Sequence, residues 1–233
     1  MNFRSLAITL LLVAMQLLAH AHTIWIETSN KGQIGKEQQV KIFFGEYSDG
    51  KPSKTAKWFS DLKDYKLMMT APDGKVTELN KNQDSVFYFA RFTPEQEGVY
   101  TFWLDHEVKD VFKDMKITYT AGTYVSVKGK QQAIVGKGRY QVMLPNAQKN
   151  DAIIILKDGK PHAGATVNLE QAGNKDGMPV QTDKDGKLVL PKGLKGNYLL
   201  ELSTPAKVDN GMHNGKAYKT HYLNYTYLLE LQG

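Results

Sequence analysis

Five histidines lie beyond residue 21, at positions 22, 106, 162, 213 and 221. His22 is set apart by what precedes it. Ala19-His20-Ala21 is a small-x-small cleavage site, and a cut after Ala21 makes His22 the first residue. A terminal histidine presents two nitrogens at one point, the α-amine and ring Nδ1. They can close a chelate ring on one ion, and a second imidazole would complete a T-shaped nitrogen site suited to Ni²⁺, Co²⁺, Cu²⁺ or Zn²⁺. The ordinary alternative is that cleavage happens to fall before a histidine.

Three further residues are metal-ligand candidates. His221 opens the last strand on its more apolar face, with Leu223, Tyr225 and Tyr227, so it is expected at a sheet end pointing inward. His213 sits in an expected polar loop, residues 203–216, beside Met212 and Asp209. His106 stands between Asp105 and Glu107, where a carboxylate can orient an imidazole. Each has a plain alternative: a packing histidine at 221, a loop histidine at 213, an exposed turn at 106. His162, in a Gly-Lys-Pro-His turn, reads as surface.

No familiar catalytic set is present: no G-x-S-x-G elbow, H-E-x-x-H helix, phosphate loop or dinucleotide fingerprint. Asp183-Lys184-Asp185-Gly186 lacks the closing glutamate of a calcium loop and reads as a β-turn. Trp25, Trp58 and Trp103 could stack sugars, but two of them lie in strand patterns, where core packing is the simpler account. With no cysteine there is no thiolate ligand, disulfide or catalytic thiol.

The elements that must position these residues are strands. Alternating or β-rich runs cover residues 23–27, 40–44, 65–69, 76–79, 86–92, 99–104 and 116–127. Ala71-Pro72-Asp73-Gly74 closes a hairpin. Only residues 55–63 look weakly helical. Residues 128–138, rich in Gly, Lys and Gln, read as a linker. A second block follows, with strands at 140–144, 152–156, 165–169, 188–190, 198–202 and 217–231. The expected fold is all-β: two β-sandwich domains, immunoglobulin-like and then prealbumin-like, at 22–128 and 139–233, joined across 129–138.

Residues 1–21 carry Arg4, an apolar run from Leu6 to Leu18 and the Ala-x-Ala end, the pattern of a cleaved signal peptide. The run is short for a membrane span, and no later segment is apolar enough to make one. The expected location is the periplasm of a Gram-negative bacterium. The net charge of +6 is scattered, as in Lys51, Lys54, Lys57, Lys63 and Lys66 among acids and aromatics. That spacing suits a solvated surface better than a phosphate-binding stripe, so nucleic acid is not an expected partner.

The order "GKPHAGATVNLEQ", "TDKDGKLVLP", "KGNYLLEL" resembles the prealbumin-like or carboxypeptidase-regulatory-like sandwich, which speaks to fold and not to function. The start "AHTIWIE", then "GKEQQVKIFFGEY", "EGVYTFWLDHE" and "HNGKAYKTHYLNYTYLLEL" together resemble exported bacterial proteins described as the periplasmic component of cobalt or nickel uptake systems. The most specific part is the His-x-x-Trp start, matched by His22 and Trp25; the late histidine is matched by His221. The resemblance implies a non-enzymatic protein that binds Ni²⁺ or Co²⁺ for uptake or buffering, with an inner-membrane metal permease as the recipient. Two alternatives stay open on the residues: a metal-free carbohydrate-binding or adhesion sandwich, and a copper mono-oxygenase using a terminal histidine.

Overall fold

The computed structural model describes residues 22–129, 133–144 and 153–231. The leader expected at 1–21 lies outside them. Eighteen strands occur among the described residues, with two short 3₁₀ turns, Thr55–Lys57 and Leu62–Asp64, where weak helical character was expected.

One five-stranded sheet joins β1 (Thr23–Glu27), β3 (Gln38–Glu46), β4 (Lys51–Pro52), β7 (Asn82–Gln83) and β8 (Tyr88–Phe92). A nine-stranded sheet joins β2 (Lys31–Gly32), β5 (Met68–Thr70), β6 (Val76–Glu78), β9 (Gly98–Glu107), β10 (Met115–Val127), β15 (Thr166–Gln171), β16 (Asn174–Gln181), β17 (Gly196–His213) and β18 (Lys216–Leu231). A four-stranded sheet is made of β11 (Ala133–Val135), β12 (Tyr140–Leu144), β13 (Ile154–Lys157) and β14 (Lys160–Pro161).

The nine-stranded sheet is the middle layer. Period-two alternation gives each of its strands two faces. On β10, Ile117, Tyr119, Ala121, Val125 and Val127 face one core, with Ile24, Ile26, Ile42 and Phe44 of the five-stranded sheet. On β17 and β18, Leu200, Leu202, Tyr225, Tyr227 and Leu229 face a second core on the opposite side, closed by Val135, Val142 and Ile155 of the four-stranded sheet.

The expected division into two sandwiches is therefore crossed by the middle layer. β10 pairs in parallel with β18, from Met115 opposite Thr220 to Gly122 opposite Tyr227. The expected linker also carries β11. A parallel pairing between strands so far apart in sequence leaves no local signal.

Two other expectations change. Residues 203–216 do not form a loop: β17 runs on to His213 and turns tightly at Asn214 (φ 47°) and Gly215 (φ 78°). Two left-handed residues in sequence make the turn that matches strand twist, and Asn-Gly is its preferred pair. This stretch shows no strand pattern because most of it is exposed on both faces. Residues 188–190 hold only an isolated bridge, Leu188 to Thr182.

Candidate metal-binding site at the first strand

His22 stands just before β1, and its place is set by three neighbours. β1 runs antiparallel to β3 with Thr23 opposite Gly45, which puts Glu46 across from His22. His22 Nδ1 lies 3.6 Å from Glu46 Oε1. The imidazole tilts over Phe44, with centroids 5.4 Å apart, and its side chain stays 50% exposed. The Tyr119 hydroxyl donates to the His22 carbonyl at 3.1 Å. Burial raises the Tyr119 hydroxyl above its ordinary titration range, so it keeps the proton it donates.

A polar network below pins the strand end. Thr23 Oγ1 donates to Asn224 Oδ1 at 2.5 Å, and Asn224 Nδ2 donates to Glu201 Oε1 at 2.6 Å. Ser203 Oγ also donates to Glu201, at 2.7 Å, and Thr226 Oγ1 donates to the Ile24 carbonyl at 2.6 Å. Thr23, Asn224 and Thr226 are buried, and buried polar groups need such partners to avoid an unmet desolvation cost. Gly45 is required beside Glu46: its φ is +150°, and a Cβ there would lie 3.0 Å from the Ser53 nitrogen.

The surroundings are acidic. Burial, then the neighbouring Glu201 carboxylate, pushes Glu170 up to about 8, with Glu46 adding in the same direction. Glu170 and Glu201 are hydrogen-bonded to each other, so this pair holds a proton at neutral pH.

The late histidines lie elsewhere. Lys116 is opposite His221 in the parallel register, and Ile117 is opposite Tyr222. Tyr222 belongs to the first core, so His221, its neighbour, points to the other face of the sheet. His22 and His221 are therefore on opposite faces and do not converge. His221 Nε2 is 2.9 Å from Thr118 Oγ1. Burial and then the charge of Lys116 hold its pKa below the ordinary value. His213 is 11% exposed: its Nε2–H donates to the Val108 carbonyl at 2.9 Å, and its Nδ1 is 3.5 Å from Glu107 Oε1. The other Glu107 oxygen holds Lys116 Nζ at 2.7 Å. The cation in this cluster is thus Lys116, whose charge opposes a metal ion at His221.

His106 Nε2 lies 3.4 Å from Asp61 Oδ1. Burial alone would raise Asp61, but the Lys109 N–H and His106 outweigh it and lower its pKa. His162 stacks on Tyr140 at 5.9 Å. Among the described residues no three His, Asp or Glu side chains stand close enough together to hold a metal ion. At His22 two side chains meet, and the remaining donor would be the α-amine exposed by cleavage.

The tryptophans do not share a surface. Trp25 is 3% exposed and donates to Glu27, Trp58 lies in the first core, and Trp103 donates to Thr70. Asp183 Oδ1 accepts from the Asp185 and Lys187 amides, which makes it the β-turn expected.

Sequence reasoning missed Glu46, Tyr119, Glu170, Glu201 and Asn224. Glu46 follows an alternating strand, but nothing local says which residue faces it across the sheet.

A search of functionally curated proteins finds no match. Residues 19–206 match the family described as Domain of unknown function (DUF4198). That span takes in His22, Glu46, Tyr119, Glu170 and Glu201 and stops short of His213 and His221. It covers most of the chain, which therefore belongs to this family.

Proposed function

We propose that the chain is an exported, non-enzymatic binding protein for a divalent transition metal, held at His22 once the leader is cut behind Ala21. The observation that carries this is the 3.6 Å approach of His22 Nδ1 to Glu46 Oε1 at a strand end pinned by Tyr119 and Asn224. An amine, an imidazole nitrogen and a carboxylate form a donor set that borderline divalent ions accept. A bound ion would supply the positive charge that draws the amine, the ring and the Glu46 carboxylate together.

The chain's own groups supply the rest. Tyr119 fixes the His22 carbonyl, so amine and ring swing about one anchored point and little entropy is lost on binding. Glu46 faces Nδ1, and the Glu170–Glu201 pair adds negative potential that favours a cation. His213 and His221 are engaged by Glu107, Val108 and Thr118, His106 lies beside Asp61, and all three are left out of the site. The resemblance at His22 and Trp25 favours Ni²⁺ or Co²⁺; nitrogen donors alone would bind Cu²⁺ most tightly, and Zn²⁺ also fits. In this reading the protein works in the periplasm and hands the ion to an inner-membrane permease or buffers it.

The test compares the naturally processed protein with a form carrying one extra residue before His22, by calorimetry with Ni²⁺, Co²⁺, Cu²⁺ and Zn²⁺. The processed form should bind one ion per chain. The extended form should bind at least about a hundredfold more weakly, and Glu46→Gln about tenfold more weakly. Affinity should rise with pH up to about 8, where a terminal amine loses its proton. Equal binding by the processed and extended forms would remove the site from His22.

A further inference from the structure

A second place on the molecule has the shape and lining of a small-ligand site. The parallel pairing of β10 with β18 stops at Gly122 and Tyr227. Beyond it β10 continues along β9 and takes β2 alongside, with Lys31 opposite Ser126. β18 instead continues along β17 until Leu231 meets Gly196. The two strands part, and at the parting there is a cavity of about 560 Å³ lined by Asn30, Lys31, Tyr124, Ser126, Lys128 and Glu230. A smaller one, about 250 Å³, shares Asn30, Lys31 and Glu230 and adds Asn197. The larger volume falls in the range of pockets for small molecules.

The lining narrows the ligand class. Tyr124 stacks parallel to Tyr227, with centroids 6.5 Å apart and planes 6° apart, so its ring is held rigidly. Its hydroxyl is bonded to the Asn30 side chain, and burial raises its pKa. Around the ring stand an amide, an amine and a carboxylate from Asn30, Lys31 and Glu230, while the Ser126 hydroxyl donates to the Gly129 carbonyl. Lys128 is spent on Glu97 at 2.8 Å. Lys31 and Glu230 leave the lining balanced in charge, which disfavours a phosphate or a simple cation. Tyr124 is the single aromatic among polar side chains, so the wall offers both apolar and polar surface, which suits neither a wholly apolar ligand nor a bare ion. A rigid ring face among mixed donors and acceptors suits a molecule with a C–H face and hydroxyl edges.

We propose that this cleft binds a neutral pyranose sugar. The site is independent of the metal site: it lies toward the other end of β1 and β18 and uses none of the same residues. Tyr124 supplies the stacking face, and Asn30, Asn197, Lys31 and Glu230 pair with ring hydroxyls.

The test uses the whole processed chain, with glucose, galactose, mannose, N-acetylglucosamine and their β-1,4-linked disaccharides as probes, read by ligand-observed NMR and calorimetry. At least one probe should bind saturably with a Kd of about 1 mM or tighter, unchanged by chelator. Tyr124→Phe keeps the ring and should bind within about twofold of the native protein, while Tyr124→Leu should lose at least about tenfold. Because Tyr124→Leu also disturbs packing on Tyr227, Glu230→Ala is the second variant, expected to bind at least about fivefold more weakly with an unchanged melting temperature. No saturable binding across the panel, or undiminished binding in both Tyr124→Leu and Glu230→Ala, would overturn the proposal.

Discussion

Glu170 shows how a single side chain can carry the effect of its surroundings into stability. Its carboxyl is hydrogen-bonded to that of Glu201, and burial plus that neighbour raise its pKa from 4.5 to about 8. Between those values the folded chain holds a proton that the unfolded chain has released. The resulting stability is fully present below about 4.5 and is lost as the pH climbs through about 8. Glu170→Gln removes the titration and keeps a hydrogen-bonding amide. Thermal melts between about pH 5 and about pH 8 should show the native protein losing stability and the variant losing less. Parallel curves would show that Glu170 does not hold the proton. His22 is the contrasting case at this scale, since half its side chain is exposed and its worth lies in which atoms lie near it.

At the scale of elements, the β17–β18 ribbon is the feature most at odds with sequence patterning. Its tip leaves the second core and reaches residues 108–110 through polar contacts. His213 donates to Val108, Asn214 donates to the Lys109 carbonyl at 3.0 Å, and Lys216 pairs with Asp110 at 3.2 Å. Such a ribbon depends on its turn. Gly215 has φ +78°, a conformation that costs an L-residue about 1 kcal/mol. Gly215→Ala should lower stability by about that amount and speed amide exchange over residues 207–219, while binding at His22 stays unchanged. Unchanged exchange at the tip would mean that the contacts to Val108 and Lys109, and not the turn, hold the ribbon. Asn214-Gly215 is a hairpin pair inside the stretch expected as a loop, an expectation that arises because its exposed flanks have no apolar alternation to show.

At the scale of the whole molecule, one sheet serves two cores. Ile42 lies in the first and Leu200 in the second, and both are fully buried. Because β10 and β18 bond directly and each presents a side to both cores, loss of either core frees strands that the other needs. Calorimetry should show one cooperative transition, which Ile42→Ala and Leu200→Ala each lower by about 2–5 kcal/mol in stability. Two transitions, each moved by only one of the variants, would show that the cores fold independently.

The sequence by itself determined the local features. Alternation at residues 23–27, 86–92 and 116–127 marked strands, and the Pro-Asp-Gly turn at 72–74 marked a hairpin, because side chains of a strand take turns between two faces and turn residues carry their own backbone preference. It also singled out His22, through the Ala-x-Ala end before it. Tertiary structure decided which residues meet. Antiparallel register brought Glu46 to His22, parallel pairing of β10 with β18 put His221 on the opposite face, and burial beside Glu201 changed the proton affinity of Glu170. Those outcomes depend on contacts between strands far apart in the chain, where a shift of one residue in register reverses every face.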